Sequence, residues 1–234
     1  MRKLVDKMYE LLKELKGLVK KVSPYYRVIY NDVLVERFKV VDLINPRSGK
    51  VENRPSYEGK IVHAIKECVS KDDTVVILGG GIGIATVHVD RKLRSKGKIH
   101  VFEPSKYMME LHRKTTDINN VTSKIEIHNK AVKSIKKSWG KSEDIFIEPV
   151  DIPRADVLIC DIEGAEADAL PYVKKYNTII VETHGLYGAP TEKIESILDN
   201  KGYNVTNIGV AEPNMWRENL RDDVMILVAT KSKK

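Results

Sequence analysis

The stretch Val75-Val76-Ile77-Leu78-Gly79-Gly80-Gly81-Ile82-Gly83 decides the fold of this 234-residue chain. Its first four residues are apolar and mostly β-branched, so they read as a buried strand. A glycine cluster follows at once, and Ile84-Ala85-Thr86-Val87 opens a helix. A strand that turns into a helix through Gly-x-Gly-x-Gly lets a ligand lie against bare backbone, beside the N–H groups of the helix N-terminus. A second strand, Ile99–Phe102, ends in Glu103, twenty residues beyond Gly83. That is about the spacing of ~20 at which a carboxylate holds ribose hydroxyls in nucleoside-binding α/β folds. Gly79, Gly81, Gly83 and Glu103 are therefore expected to bind a nucleoside cofactor.

Outward from this stretch, strands and helices alternate. Strands are predicted at 74–79, 98–103, 124–129, 156–161 and 178–183, with helices near 59–70, 83–96, 105–118, 163–175 and 190–201. Such alternation implies a parallel sheet covered by helices on both faces. The end of the chain differs: Tyr203–Val210 and Val224–Thr230 read as strands joined by a loop without a helix, so the last strand should enter antiparallel. At the other end, residues 4–22 carry apolar side chains at helical spacing, stopped by Ser23-Pro24. Tyr26–Tyr30 and Val33–Val41 read as a hairpin turned at Asn31-Asp32, followed by a loop over Asn45–Ser56. The expected organisation is an extension over 1–56 and a ligand-binding domain over 57–234.

Composition narrows the class. With 42% hydrophobic residues the chain can bury a sizeable core. No apolar run approaches the ~18 residues of a membrane span, and no signal-peptide core opens the sequence. Cys68 and Cys160 stand far apart in apolar segments and read as reduced residues of a cytoplasmic protein. The net charge of +7 favours anionic partners, yet its lysines and arginines are interspersed with acids and form no block.

Ligands of open α/β sheets bind at the carboxyl ends of the strands. Those ends carry Glu103-Pro104-Ser105, His128-Asn129-Lys130, Asp161-Ile162-Glu163-Gly164-Ala165-Glu166 and Glu182-Thr183-His184-Gly185. Pro104, Asn129 and Asp161 thus join the glycines and Glu103 as candidate cofactor contacts. Asp161, Glu163, Glu182 and His184 should converge beside the cofactor, and buried strands rarely end in so many ionisable groups without a use for them. Glu166 reads as a structural carboxylate near a helix start. His63, His88, His100, His112 and His128 lack such company and read as structural. Trp216, before the last strand, either covers an acceptor pocket or packs on the surface.

In order and spacing, Glu103-Pro104-Ser105, the string Asp161 to Glu166, and Glu182-Thr183-His184 resemble the FkbM-type S-adenosylmethionine (SAM) methyltransferases. The resemblance runs from Tyr57 to His184, roughly half the chain. It implies a Rossmann-like methyltransferase sheet, SAM as cofactor, and a sugar or small-molecule hydroxyl as methyl acceptor. The family usually carries an aspartate where Ile77 stands, an asparagine at Gly81 and a lysine at Ile159. That aspartate helps to hold the methionine end of the cofactor, and Glu58 is the first residue to examine as its replacement.

Methyl transfer to oxygen needs alignment, exclusion of water, and a base for the hydroxyl proton. Asp161 and His184 are the candidate bases, with Glu182 beside them. In a variant, Asp161, Glu182 and His184 hold a divalent ion that lowers the acceptor's pKa; no metal is assigned, because two carboxylates and an imidazole suit Mg²⁺ or Mn²⁺ less cleanly than oxygen-only sites do. Two alternatives stay open: an RNA methyltransferase, motivated by the basic charge, and a catalytically inactive SAM-binding module, motivated by Ile77.

Overall fold

The computed structural model describes residues 25–38, 53–133 and 145–231. The helix expected over 4–22 lies outside them, as does most of the 45–56 loop. The hairpin is present: β1 (Tyr25–Tyr30) pairs antiparallel with β2 (Val33–Phe38). Asn31 and Asp32 turn it at φ 46° and 62°, the left-handed pair that a two-residue hairpin loop requires and that Asn and Asp tolerate. A short strand, β3 (Asn53–Arg54), pairs parallel with β1. It falls within the expected loop and is too short to leave a period-two pattern.

The remaining elements are α1 (Gly59–Cys68), β4 (Thr74–Leu78), α2 (Ile84–Leu93), β5 (Lys98–Phe102), α3 (Lys106–Ile118) and β6 (Lys124–His128). They continue as β7 (Ala131–Val132), β8 (Phe146–Ile147), β9 (Val157–Cys160), α4 (Glu166–Ala169), β10 (Thr178–Glu182) and α5 (Thr191–Asn200). The chain closes with β11 (Tyr203–Val210), α6 (Trp216–Asp222) and β12 (Met225–Lys231). A seven-stranded sheet runs in the order β11-β12-β10-β9-β4-β5-β6. Every neighbouring pair is parallel except those of β12, which is antiparallel to both β10 and β11. This is the Rossmann-like methyltransferase sheet expected of the sequence, with its reversed last strand.

Two elements depart from expectation. The helix expected over 163–175 reduces to α4, because Glu163 and Gly164 are left-handed, at φ 52° and 98°, and Pro171 has no N–H to donate into the preceding turn. The expected loop before the last strand contains α6, which follows a 3₁₀ turn over Pro213–Met215. Its apolar residues Trp216 and Leu220 are about half exposed, so no buried periodicity marks it.

Both faces of the sheet are buried along its central strands, in alternation, while the edge strands β6 and β11 stay partly exposed. Val76, Leu78, Leu158 and Cys160 pack on one side with Leu170, Ile194 and Leu198. Val75, Ile77, Val157 and Ile159 pack on the other with Ile61, Ile65 and Leu93. That alternation is the strand period of two. The hairpin adds a third cluster, in which Tyr30, Val33 and Val35 meet Val62, Ile84 and Val87. Polar fasteners hold it there. The Asn119 amide bonds both the N–H and the carbonyl of Leu34, at 3.1 and 2.7 Å, and the His88 ring meets the Asn31 carbonyl at 2.8 Å. Among the described residues, no helix is long and apolar enough to cross a membrane.

Candidate active site

A cavity of about 380 Å³ opens at the carboxyl ends of the parallel strands. Gly79 and Gly81 form its floor, beside Ile82. Gly79, at φ 84°, could not be replaced, since a Cβ there would stand 1.7 Å from the Asp161 carbonyl oxygen. The ends of β4 and β9 thus meet backbone to backbone. Gly83, at φ 94°, lies outside the cavity wall and caps α2. Behind the loop, His112 of α3 bonds the Gly80 carbonyl through Nδ1 at 3.0 Å. Burial lowers the pKa of that ring to about 4, so it stays neutral. This buttress left no signal in the sequence beyond a histidine in a helix.

Glu103 lines the cavity with 5% of its surface exposed. One carboxylate oxygen accepts the Gly81 N–H at 2.9 Å and the other the Ser105 N–H at 2.8 Å. Burial raises its pKa, and the two N–H donors oppose that rise. Each oxygen can still accept another hydrogen bond. Pro104 lines the wall beside it with Phe102, Met108, Lys130, Val132 and Ile162. Asn129 does not reach the cavity wall. Its amide nitrogen donates to the Glu103 and Pro104 carbonyls at 3.0 and 2.9 Å, so it fixes the loop that carries them.

On the other side of the glycines, Asp161, Glu163 and Glu182 converge on His184. Its Nε2 stands 3.6 Å from Asp161, 3.7 Å from Glu182 and 3.9 Å from Glu163. Its Nδ1 meets Glu166 at 3.0 Å. Burial disfavours charge on this ring, but the Glu166 hydrogen bond and the nearby carboxylates outweigh it and push the pKa up to about 10. Carboxylates at both ring nitrogens thus bias His184 toward its charged form.

Glu166 explains the Glu-Gly-Ala-Glu string. It is fully buried and accepts the N–H groups of Ile162 and Gly164, both at 2.9 Å, while holding His184. Gly164 is needed because a Cβ there would lie 2.3 Å from that of Tyr187. Glu163, at φ 52°, is left-handed without being glycine. Asp161 stands at the centre: burial raises its pKa to about 7, the His184 charge pulls against this, and Glu163, Glu166 and Glu103 add to it. Burial first, then Asp161, raises Glu182 well above the ordinary carboxylate range.

Two further carboxylates complete the wall, Glu58 and Glu212. They come from a turn and from the loop before α6, where no periodic pattern points to a site. Burial, Asp161 and Glu212 push Glu58 up to about 8. Among the described residues, six carboxylates face the cavity, and Lys130 is the one basic side chain on its wall. Ile77 stands elsewhere, 1% exposed in the apolar cluster beneath the sheet. Trp216 is also off the wall, half exposed under the Arg217 guanidinium at 5.1 Å.

No family model matches this chain, and no curated protein matches it. Solved structures do. A precorrin-6y C5,15-methyltransferase from Geobacter metallireducens GS-15 matches at a TM-score of 0.53 and 12% identity, over 79% of this chain and 93% of its own. A ribosomal protein L11 methylase from Lactobacillus delbrueckii subsp. bulgaricus matches at 0.53 and 13%, over 81% and 90%. An O-methyltransferase family protein from Burkholderia thailandensis matches at 0.50 and 13%, over 75% of this chain and 55% of its own. The likeness is one of fold, shared by methyltransferases of several kinds.

Proposed function

We propose that this protein is a SAM-dependent methyltransferase of the FkbM type, acting on the hydroxyl of a sugar or another small molecule. The observation that carries the reading is the cavity itself: the glycine loop and Glu103 at one end, and a wall of carboxylates at the other. SAM fits such a site, because it presents ribose hydroxyls to an acceptor and two cationic groups, a sulfonium and an ammonium, to an acidic wall. Its sulfonium supplies an already activated methyl group. Glu103 would accept the ribose hydroxyls, and Gly79 and Gly81 would admit the ligand against bare backbone.

Asp161 is the base in this reading. Its raised pKa of about 7 suits a group that takes a hydroxyl proton near neutrality. With SAM held there, its sulfonium would give up the methyl group to the acceptor oxygen, and Asp161 would take the hydroxyl proton. His184 holds its own proton and fixes Asp161 and Glu182 in place, as a positioning group. An acidic wall also disfavours the phosphates of RNA, so a small neutral or cationic acceptor fits better.

The test uses purified protein, labelled SAM and a small-molecule extract. Label should enter a small molecule. Asp161→Asn should then cut turnover by roughly 10²–10⁴-fold. Label appearing only in RNA, or full turnover in Asp161→Asn, overturns the assignment.

A further inference from the structure

Away from the cavity, the edge of the sheet gathers three residues that can ligate a metal. Strand β6 stands at the end of the seven-strand order, paired parallel with β5. His100 of β5 lies directly opposite Glu126 of β6, and His128 stands two residues further along β6. The strand period of two puts all three side chains on one face of the pair. Each offers a ligand atom, and the three atoms lie within 4.8 Å of one another. Donors that share a transition-metal ion at ~2.1 Å stand no more than about 4.2 Å apart, so small side-chain rotations bring the set to one centre. None of the three lines the cavity. Sequence spacing did not reveal the group, because His100 and Glu126 come from different strands.

The two imidazoles carry the inference. His100 Nδ1 and His128 Nε2 are shielded from solvent, and among the described residues neither has a hydrogen-bond partner. Buried ring nitrogens are seldom left so. The rings lie 12° from parallel with centroids 5.9 Å apart, and His128 also stacks on Phe102 at 4.6 Å, which orients it. Burial, ahead of any neighbouring charge, lowers the pKa of both rings and favours the neutral form that binds metals. Glu126 supplies the anion. Its Oε2 stands 3.3 Å from His100 Nδ1, within ion-pair reach but without the geometry of a hydrogen bond. Its Oε1 meets Lys98 at 2.9 Å and Lys124 at 3.6 Å. The Glu126 side chain is 36% exposed, so an ion can enter from solvent past it. The two ammonium groups oppose a cation and limit its affinity.

We propose that His100, Glu126 and His128 form a binding site for a divalent transition metal of the zinc class, with water in the remaining position. Two imidazoles and one carboxylate suit Zn²⁺, whereas Mg²⁺ and Ca²⁺ take oxygen ligands. An ion there satisfies both orphaned nitrogens and ties the edge strand β6 to β5.

The experiment titrates Zn²⁺ into the full chain, freed of metal with a chelator, and follows uptake by calorimetry. Wild-type protein should take up an ion at this site and melt at a higher temperature with it, since only the folded state gathers the ligands. His100→Ala, His128→Ala and Glu126→Gln should each weaken Zn²⁺ by at least about 10-fold, a loss seen even for residues that only support a ligand. Lys98→Ala should tighten it, by removing a like charge and freeing Oε1. Glu126 is partly exposed on an edge strand, so Glu126→Gln decides the matter if a histidine variant fails to fold. His184→Ala probes the other group of possible ligands, Asp161, Glu166 and His184, and should leave this uptake unchanged. Wild-type affinity in any of the three ligand variants, or a loss confined to His184→Ala, overturns the site. Wild-type protein that takes up no Zn²⁺ at millimolar concentration overturns it as well.

Discussion

Removing the Glu103 carboxylate takes away more than a ligand contact, because it also strips the Gly81 and Ser105 N–H groups of their acceptor. Glu103→Ala should weaken SAM by about 1.5–3 kcal/mol and lower stability by about 1–3 kcal/mol, the range for orphaned buried groups. Glu103→Gln keeps an acceptor oxygen and should lose less stability. Calorimetry and thermal melting separate the two effects; equal SAM affinity in wild type and Glu103→Ala would remove Glu103 from the site. At this scale the sequence exposed the residues that end strands, since a polar residue after an apolar run is visible. It concealed Glu212, which sits in the loop before α6, and the pairing of His184 with Glu166, which arrives from another segment. Strand alternation sends the Ile77 side chain into apolar packing, so Ile77→Asp would bury a carboxylate and destabilise the fold.

The hairpin is the element on which the site leans. Its Tyr30 is 1% exposed and stacks on Tyr57, the residue before Glu58. Tyr30→Ala should cost about 3–5 kcal/mol, as for other large buried aromatics. In the fraction that stays folded, SAM should bind more weakly, because Tyr57 lines the cavity. A Tyr30→Ala protein with wild-type melting temperature would mean that the hairpin is not integral to the fold. The turn at Asn31-Asp32 was legible because it sits between two apolar alternating runs. What the hairpin covers was not, because Val62, Ile84 and Val87 read equally well as packing on the sheet. The shortening at α4 was legible in principle from Pro171, whereas α6 exposes its apolar residues and hides its period.

For the whole molecule, the ionisable groups set a pH profile. Glu58, Asp161 and His184 have folded pKa values of about 8, 7 and 10, each above its unfolded value. The stability each contributes is complete below the unfolded value and is lost as pH rises through the folded one. His88 and His112 lie at about 4, below the free imidazole value of about 6.5, so their contribution is complete above ~6.5 and lost as pH falls through 4. Above about 6.5 the histidine contributions are complete, and the three raised groups go on losing theirs. The melting temperature of the ligand-free protein should fall steadily from there toward pH 10, and saturating SAM should flatten the fall. A melting temperature that rises over this range contradicts the charge pattern described. The sheet order and its reversed last strand were legible at this scale, because alternation followed by two strands in succession leaves few topologies. The acidic cavity was not, since it sits in a chain whose net charge is +7. That contrast has a kinetic consequence. A cationic ligand approaching from bulk water meets a repulsive field first and an attractive one only near contact. Salt at ~0.1 M confines the outer field to about 10 Å and acts much less on buried charges. Stopped-flow association of SAM should therefore quicken as salt is raised from ~10 to ~150 mM, the reverse of ordinary electrostatic steering.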